Sequence, residues 1–251
     1  MAGLRGRIRK GAFTTGSWIT IGDCSVAEVM AHAGFDWLAV DMEHSAITLN
    51  QAQELVRTIE LSGVCPLVRI GENNAAAIKR VMDTGAHGVI VPMVNCRSDA
   101  ERAVGAVKYP PIGTRGVGLA RAQGYGFSFP RYSGRINKES VVVVQVEHID
   151  AVENLESILS VDGVDASIIG PYDLSGSIGC PGEFDHPAVK RAISRYERVC
   201  AKMRKPMGFH VVSPDVRLAA RYRKKGYSFL AVGIDTLYLG TFARRTRDEL
   251  K

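Results

Sequence analysis

The stretch Phe35-Asp36-Trp37-Leu38-Ala39-Val40-Asp41-Met42-Glu43-His44 is an apolar run that stops abruptly on two carboxylates and an imidazole. Charged side chains avoid protein interiors unless paired, hydrogen-bonded or bound to a metal. A solvated strand end with a capping acid explains one such run, so its meaning depends on whether others end the same way. Short apolar runs bounded by Gly, Pro or polar residues recur at 17–21, 37–41, 66–70, 88–92, 141–147, 165–170, 207–211 and 229–233, as buried parallel strands should. Amphipathic stretches at 27–33, 49–61, 75–84, 99–107, 151–159, 187–203 and 214–225 lie between them, and Gly34, Gly63, Gly85 and Gly226 stand where helices stop. Eight strand-helix alternations in one chain of 251 residues predict a (β/α)8 TIM barrel. An open doubly wound sheet is the alternative, but no Gly-rich dinucleotide fingerprint follows the first strand.

Length and composition agree with one barrel domain over residues 1–251, since 46% apolar content supplies one sizeable core. No run approaches a membrane span, and the basic segment from Met1 to Lys10 leads into no secretory apolar region. A basic first helix is the expectation there. Cys24, Cys65, Cys96, Cys180 and Cys200 are scattered, lack a C-x-x-C pair and sit beside no histidine in sequence, which suits reduced thiols in a cytoplasmic protein. The net charge of +6 attracts anions. Basic and aromatic residues are not interleaved and no nucleic-acid motif occurs, so small carboxylates are the expected partners. The connection from Met93 to Ser140 is far longer than its neighbours; its segment 109–140 holds Tyr125, Phe127, Phe129 and Tyr132 and is expected to form an ordered lid or an oligomer contact.

In such barrels chemistry sits at the carboxyl ends of the strands. There the second run delivers Asp41, Glu43 and His44, the third Arg69, the fifth Gln145 and Glu147, and the sixth Gly170, Pro171, Tyr172 and Asp173. Alternation puts Gln145 and Glu147 on one face and turns Val146 and His148 away. Each has an ordinary explanation alone: Arg69 as an ion-pair partner, Glu147 or Asp173 as a helix cap. His32, His87, His186 and His210 read as bystanders, with His210 ending a strand where it can face the pocket. Two acids from separate strands with open positions beside them suit Mg²⁺ or a similar divalent ion, which accepts substrate oxygens. With an arginine for an enolate oxygen and a histidine to move a proton, the set fits enolate chemistry on a 2-oxo acid. No lysine ends any run, which argues against a Schiff base.

The segments 34–37, 41–44, 68–69, 82–86, 109–116, 145–147 and 169–174 resemble, in order and over nearly the whole chain, the HpcH/HpaI family of metal-dependent pyruvate aldolases. The resemblance implies His44 as general base or water activator, oriented by Asp41 and Asp83, and Arg69 on the pyruvate oxygen. It implies Glu147 and Asp173 as ligands of Mg²⁺, Mn²⁺ or Co²⁺, Gln145 beside them, and the amides around Gly170, Pro171, Tyr172 and Asp173 as the seat of the substrate carboxylate. Glu43 becomes a supporting residue, and Tyr172 departs from the smaller residue common at its position. The family further implies a hexamer, a trimer of dimers that exchange a last helix at about 237–251. Aldehyde discrimination is expected from 118–126, with Arg121 pairing a distal carboxylate or bracing the lid. A condensing enzyme for citrate-like products or an oxaloacetate decarboxylase would use the same enolate. A non-catalytic barrel binding anions or nucleic acid is the reading from another class.

Overall fold

Eight strands pair in parallel and close on themselves in chain order: β1 (Thr14–Ile19), β2 (Trp37–Asp41), β3 (Cys65–Arg69), β4 (Gly88–Val91), β5 (Val141–Val146), β6 (Ala166–Ile169), β7 (Met207–Val211) and β8 (Tyr227–Ile234). The helices are α1 (Leu4–Arg9), α2 (Cys24–His32), α3 (Leu49–Leu61), α4 (Ala75–Asp83), α5 (Arg97–Val107), α6 (Phe129–Glu139), α7 (Ile149–Glu153), α8 (Leu155–Leu159), α9 (Pro171–Ser177), α10 (Pro187–Met203), α11 (Val216–Lys224) and α12 (Asp235–Glu249). The structure, a computed structural model, describes residues 3–251, so Met1 and Ala2, the start of the basic segment, lie outside the described residues.

Strand alternation divides the apolar residues into two layers. Trp18, Trp37, Ala39, Leu67, Val143, Ile168 and Phe229 fill the barrel interior, while Leu38, Val40, Val68, Val89, Val142 and Leu230 pack outward against the helices. The interior is filled unevenly. The Trp37 ring stacks on Phe229 at 4.2 Å and 4°, and it has room because β1 offers Gly16, where a Cβ would stand 2.1 Å from the indole. That accommodation explains why β1 begins at Thr14 rather than at the expected 17: a small residue breaks the apolar pattern while the backbone pairing continues. The expected glycine stops hold, since Gly34, Gly63, Gly85 and Gly226 all adopt positive φ. The single helix expected over 151–159 is two, α7 and α8, parted at Asn154, whose Nδ2 donates to Asn95 O at 3.0 Å.

The basic first helix closes the barrel floor. Ile8 of α1 joins the interior cluster, and Arg5 pairs with the buried Asp165 at 2.8 Å and donates to Lys138 O. The long connection is ordered by Arg115, which donates to Asp83 at 2.6 Å and to the Tyr132 hydroxyl at 2.9 Å, with its guanidinium 4.7 Å from the Tyr109 ring centre. A 3-10 turn at Arg121–Gly126 and then α6 follow. This corrects the lid expectation: no residue of 109–140 lines the cavity at the carboxyl ends of the strands. The reason is topological, because the connection hooks onto the carboxyl end of α4, and α6 returns the chain to the amino end of β5. Ile112, Val117, Leu119, Tyr125 and Phe127 stay exposed on it. At the other terminus, α12 is anchored by Asp235, which accepts from Thr20 N, Thr20 Oγ1 and Ile21 N, while Leu239 and Phe242 project from the barrel.

Candidate active site

In β2 and β3 the register places Asp41 beside Arg69, both at strand ends. Their side chains therefore meet, with Arg69 Nε donating to Asp41 Oδ1 at 2.9 Å and Nη2 to Oδ2 at 2.5 Å. Asp41 Oδ1 also accepts the backbone N–H groups of Glu43 at 3.0 Å and His44 at 3.2 Å. Burial opposes the Asp41 charge, but Arg69 and the two amides outweigh it and hold the carboxyl below its ordinary range. Asp41 thus shapes the turn that carries His44 and does not touch its imidazole, which corrects the picture of a carboxylate oriented on the ring. The His44 side chain is 69% exposed at the cavity mouth, with Nε2 3.9 Å from Glu43 Oε2.

Arg69 is fixed from a further side. Its guanidinium lies 4.4 Å from the centre of the Trp18 ring, and Nη1 stands 3.2 Å from Glu43 Oε2. That oxygen is sealed from water without a hydrogen-bond partner. Burial pushes the Glu43 carboxyl up to about 7; Arg69 opposes the shift, and the charges of Glu147, Asp41 and Asp173 reinforce it.

The ligand side comes from β5 and β6. Gln145 and Glu147 share a face as alternation requires, and Gln145 Nε2 donates to Glu147 Oε2 at 2.6 Å. Glu147 Oε1 accepts the Met93 N–H at 2.7 Å; Met93 follows β4 with φ of 50°, a conformation that a non-glycine residue holds only under constraint. Burial raises the Glu147 carboxyl, with the amide and amide side chain pulling the other way and Asp173 pushing it further up. Asp173 stands in the first turn of α9 and caps nothing: the N-cap is Gly170, without a side-chain bond, and the Asp173 carboxylate has no hydrogen-bond or ion-pair partner among the described residues. Gly170 is small for a reason, since a Cβ there would stand 3.1 Å from that of Glu147.

His44, Arg69, Gln145, Glu147, Gly170, Pro171, Tyr172 and Asp173 all line one cavity of about 240 Å³, together with Trp18, Ile168, His210 and Val212. The donor set fits a hard divalent ion: two carboxylates from separate elements, one lacking any protein partner, whose mutual repulsion a cation would relieve. Among the described residues no three His, Cys, Asp or Glu side chains converge for a metal. The remaining positions would fall to substrate oxygens and water.

Two expected site residues are elsewhere. Asp83, at the carboxyl end of α4, is engaged by Arg115 and, at 3.2 Å, by Gln123. Arg121 donates to Glu60 and to Thr84 O, so it braces the connection. Helices of a (β/α)8 barrel run back toward the amino ends of the strands, which takes both residues away from His44 within this chain. The sequence singles out neither Trp18 nor the Met93 amide, whereas His210 does face the pocket, the alternative to its bystander reading; an inward tryptophan near the carboxyl end of β1 is the signal that finds Trp18. The fold also brings Cys65 within 3.6 Å of His87 Nδ1, but burial pushes that thiol up to about 12 and keeps it protonated.

The profile of the HpcH/HpaI aldolase/citrate lyase family matches residues 14–240. The chain is 40% identical over 247 residues to the hydroxypyruvate/pyruvate aldolase of Sagittula stellata, covering 98% of this chain and 96% of that protein. It is 39% identical to the 2-keto-3-deoxy-L-rhamnonate aldolase of Klebsiella pneumoniae, covering 96% and 90%. Among solved structures, an HpcH/HpaI aldolase/citrate lyase family protein from Burkholderia cenocepacia J2315 superposes with a TM-score of 0.93 at 32% identity, covering 98% of both chains. A barrel with these strand ends, matched along nearly its whole length at these identities, belongs to the HpcH/HpaI aldolase/citrate lyase family.

Proposed function

We propose that the protein is a class II pyruvate aldolase, reversibly cleaving the C3–C4 bond of a 4-hydroxy-2-oxo acid to give pyruvate and an aldehyde. The observation that carries the reading is the convergence of Arg69, Glu147, Asp173, Gln145 and His44 on one cavity at the strand carboxyl ends. Glu147 and Asp173 would hold a divalent ion of the Mg²⁺, Mn²⁺ or Co²⁺ type, which would supply Lewis acidity for the 2-oxo acid. Gln145 holds the Glu147 carboxylate in place through its 2.6 Å bond. The Tyr172 and Asp173 amides in the first turn of α9 face the substrate carboxylate, as helix amino ends do.

Arg69 stabilises negative charge as it develops on the 2-oxo oxygen, and its bidentate grip on Asp41 removes any need to reorganise during the step. In cleavage the proton of the 4-hydroxyl passes to the His44 imidazole, directly or through one water. The C3–C4 bonding pair enters the enolate and the aldehyde leaves. Protonation at C3 then yields pyruvate.

Purified protein treated with chelator should release no pyruvate from 4-hydroxy-2-oxo acids, and added Mg²⁺, Mn²⁺ or Co²⁺ should restore release. Full activity in chelator would overturn the assignment. We further assign residues 1–251 to one barrel domain and the working state to a hexamer of exchanged dimers. The projecting α12, with Leu239 and Phe242 uncovered, and the exposed apolar side chains of the long connection support that assembly. Among the described residues no helix is long and apolar enough to cross a membrane.

A further inference from the structure

His210 lines the cavity and has no part in the proton and charge movements above. In β7 the Phe209 ring stacks on Tyr222 of α11 at 3.7 Å, so Phe209 faces the helix layer and its neighbours Gly208 and His210 face the barrel interior. The His210 ring lies 5.4 Å from Trp18, the indole that also carries the Arg69 guanidinium. His210 Nε2 is 3.1 Å from Gly233 O. A carbonyl oxygen only accepts, so Nε2 holds the proton and donates it.

Gly233 is itself a reserved position. Its φ is +66°, and a Cβ there would stand 2.4 Å from the Tyr238 ring, so the carbonyl partner is built into the carboxyl end of β8. Burial, offset in part by the Gly233 bond and Asp41 and reinforced by the Arg69 charge, pushes the imidazole down to about 4. At neutral pH the ring is uncharged and its one proton is on Nε2. Nδ1 therefore carries a lone pair. Nδ1 makes no hydrogen bond among the described residues and is not one of the sealed polar atoms, so it is reached from the cavity.

We propose that Nδ1 of His210 accepts a hydrogen bond from an aliphatic hydroxyl of the substrate, and that the site thereby selects hydroxylated reactants over their deoxy counterparts. The Arg69 donor, and the divalent ion that Glu147 and Asp173 would hold, suit the 2-oxo acid head, whereas a neutral acceptor against the Trp18 ring suits an uncharged hydroxyl. Two sources offer that chemistry: the C3 hydroxyl of a hydroxylated 2-oxo acid, and the 2-hydroxyl of the aldehyde. A site that hydrogen-bonds a hydroxyl discriminates against the analogue lacking it, because the protein acceptor is then left without a partner.

The inference rests on the aldolase reading, and the test separates the two. Condensation is measured in two arms, 3-hydroxypyruvate against pyruvate with propanal as acceptor, and glycolaldehyde against acetaldehyde with pyruvate as donor. The readout is the ratio of kcat/KM within each arm, which cancels any general loss from disturbing Trp18 and Arg69. The wild type should favour the hydroxylated member in one arm. His210→Leu should lower that ratio by about tenfold or more, mainly through KM, and His210→Asn, which keeps an amide oxygen acceptor, should retain part of it. No preference in either arm, or a ratio unchanged by His210→Leu, or equal losses in the Leu and Asn variants, overturns the proposal. Imidazole ¹⁵N spectra of the protein give a readout without turnover: the Nε2–H tautomer in the free state, and an Nδ1 shift on adding glycolaldehyde or 3-hydroxypyruvate but not the deoxy analogues. Absent turnover with that shift retained would remove the aldolase reading alone; a spectrum of the Nδ1–H tautomer would remove this one.

Discussion

Arg69 meets Asp41, Glu43 and Trp18 at once, and each contact fixes a different property of the guanidinium. Lysine keeps the charge but not the fork or the stacked plane. Arg69→Lys should lower kcat by roughly 100- to 1,000-fold in pyruvate release, the scale for losing one preorganised donor to a developing oxyanion. It should also lower the thermal midpoint, since Asp41 is left buried with a poorer partner. An unaltered kcat would show that Arg69 serves the fold alone. Glu43 makes a pH prediction. Its folded carboxyl titrates at about 7 against 4.5 for the ordinary group, so the folded state binds the proton more tightly and this contribution to stability, whole below pH 4.5, is lost as pH rises through 7. In chelator, Glu43→Gln should match the wild-type melting temperature near pH 4 and exceed it above pH 7; a constant difference across that range would remove the buried-carboxylate account. The sequence made Glu147, Asp173, Arg69 and Gln145 legible because each closes an apolar run. It did not show that Asp41 works through backbone amides, because a carboxylate's choice between a ring and an amide depends on distances that no spacing encodes.

At the scale of elements, β2, β7, α3 and α10 coincide with the expected segments. Their ends carry local signals: the Thr48–Gln51 capping box starts α3, and Pro187 occupies the first turn of α10. β1 was misplaced because Gly16 answers to Trp37 on another strand. Gly16→Ala puts a methyl into the indole and should destabilise the barrel by about 1–3 kcal/mol, the ordinary cost of overpacking. Chemical denaturation with Trp fluorescence checks this; no loss would mean that the Trp37–Phe229 stack yields without cost. The long connection illustrates the opposite limit. Its aromatics correctly marked it as ordered, yet which end of the barrel it covers follows from Arg115 reaching Asp83, a contact between residues far apart in sequence.

For the whole molecule, α12 is held to its own barrel chiefly by Asp235 and Tyr238, and the rest projects with Leu239 and Phe242 uncovered. A chain ended after Tyr238 keeps those anchors. It should retain its far-ultraviolet dichroism and show a smaller particle mass by light scattering; an unchanged mass would exclude α12 from the assembly. The sequence by itself determined the eightfold alternation, the polar strand ends and the family resemblance, because period, run length and terminal residues are local properties that parallel strands and helices impose directly. Only the tertiary structure decided which charged residues share a cavity. Asp83 sits within a motif as specific as those of Arg69 and Glu147, yet α4 carries it to the amino end of the barrel, where Arg121 of the long connection also binds, while strands deliver the others to the carboxyl end. Direction of travel through space, set by packing each helix back against the sheet, separates residues that the linear motif treats alike.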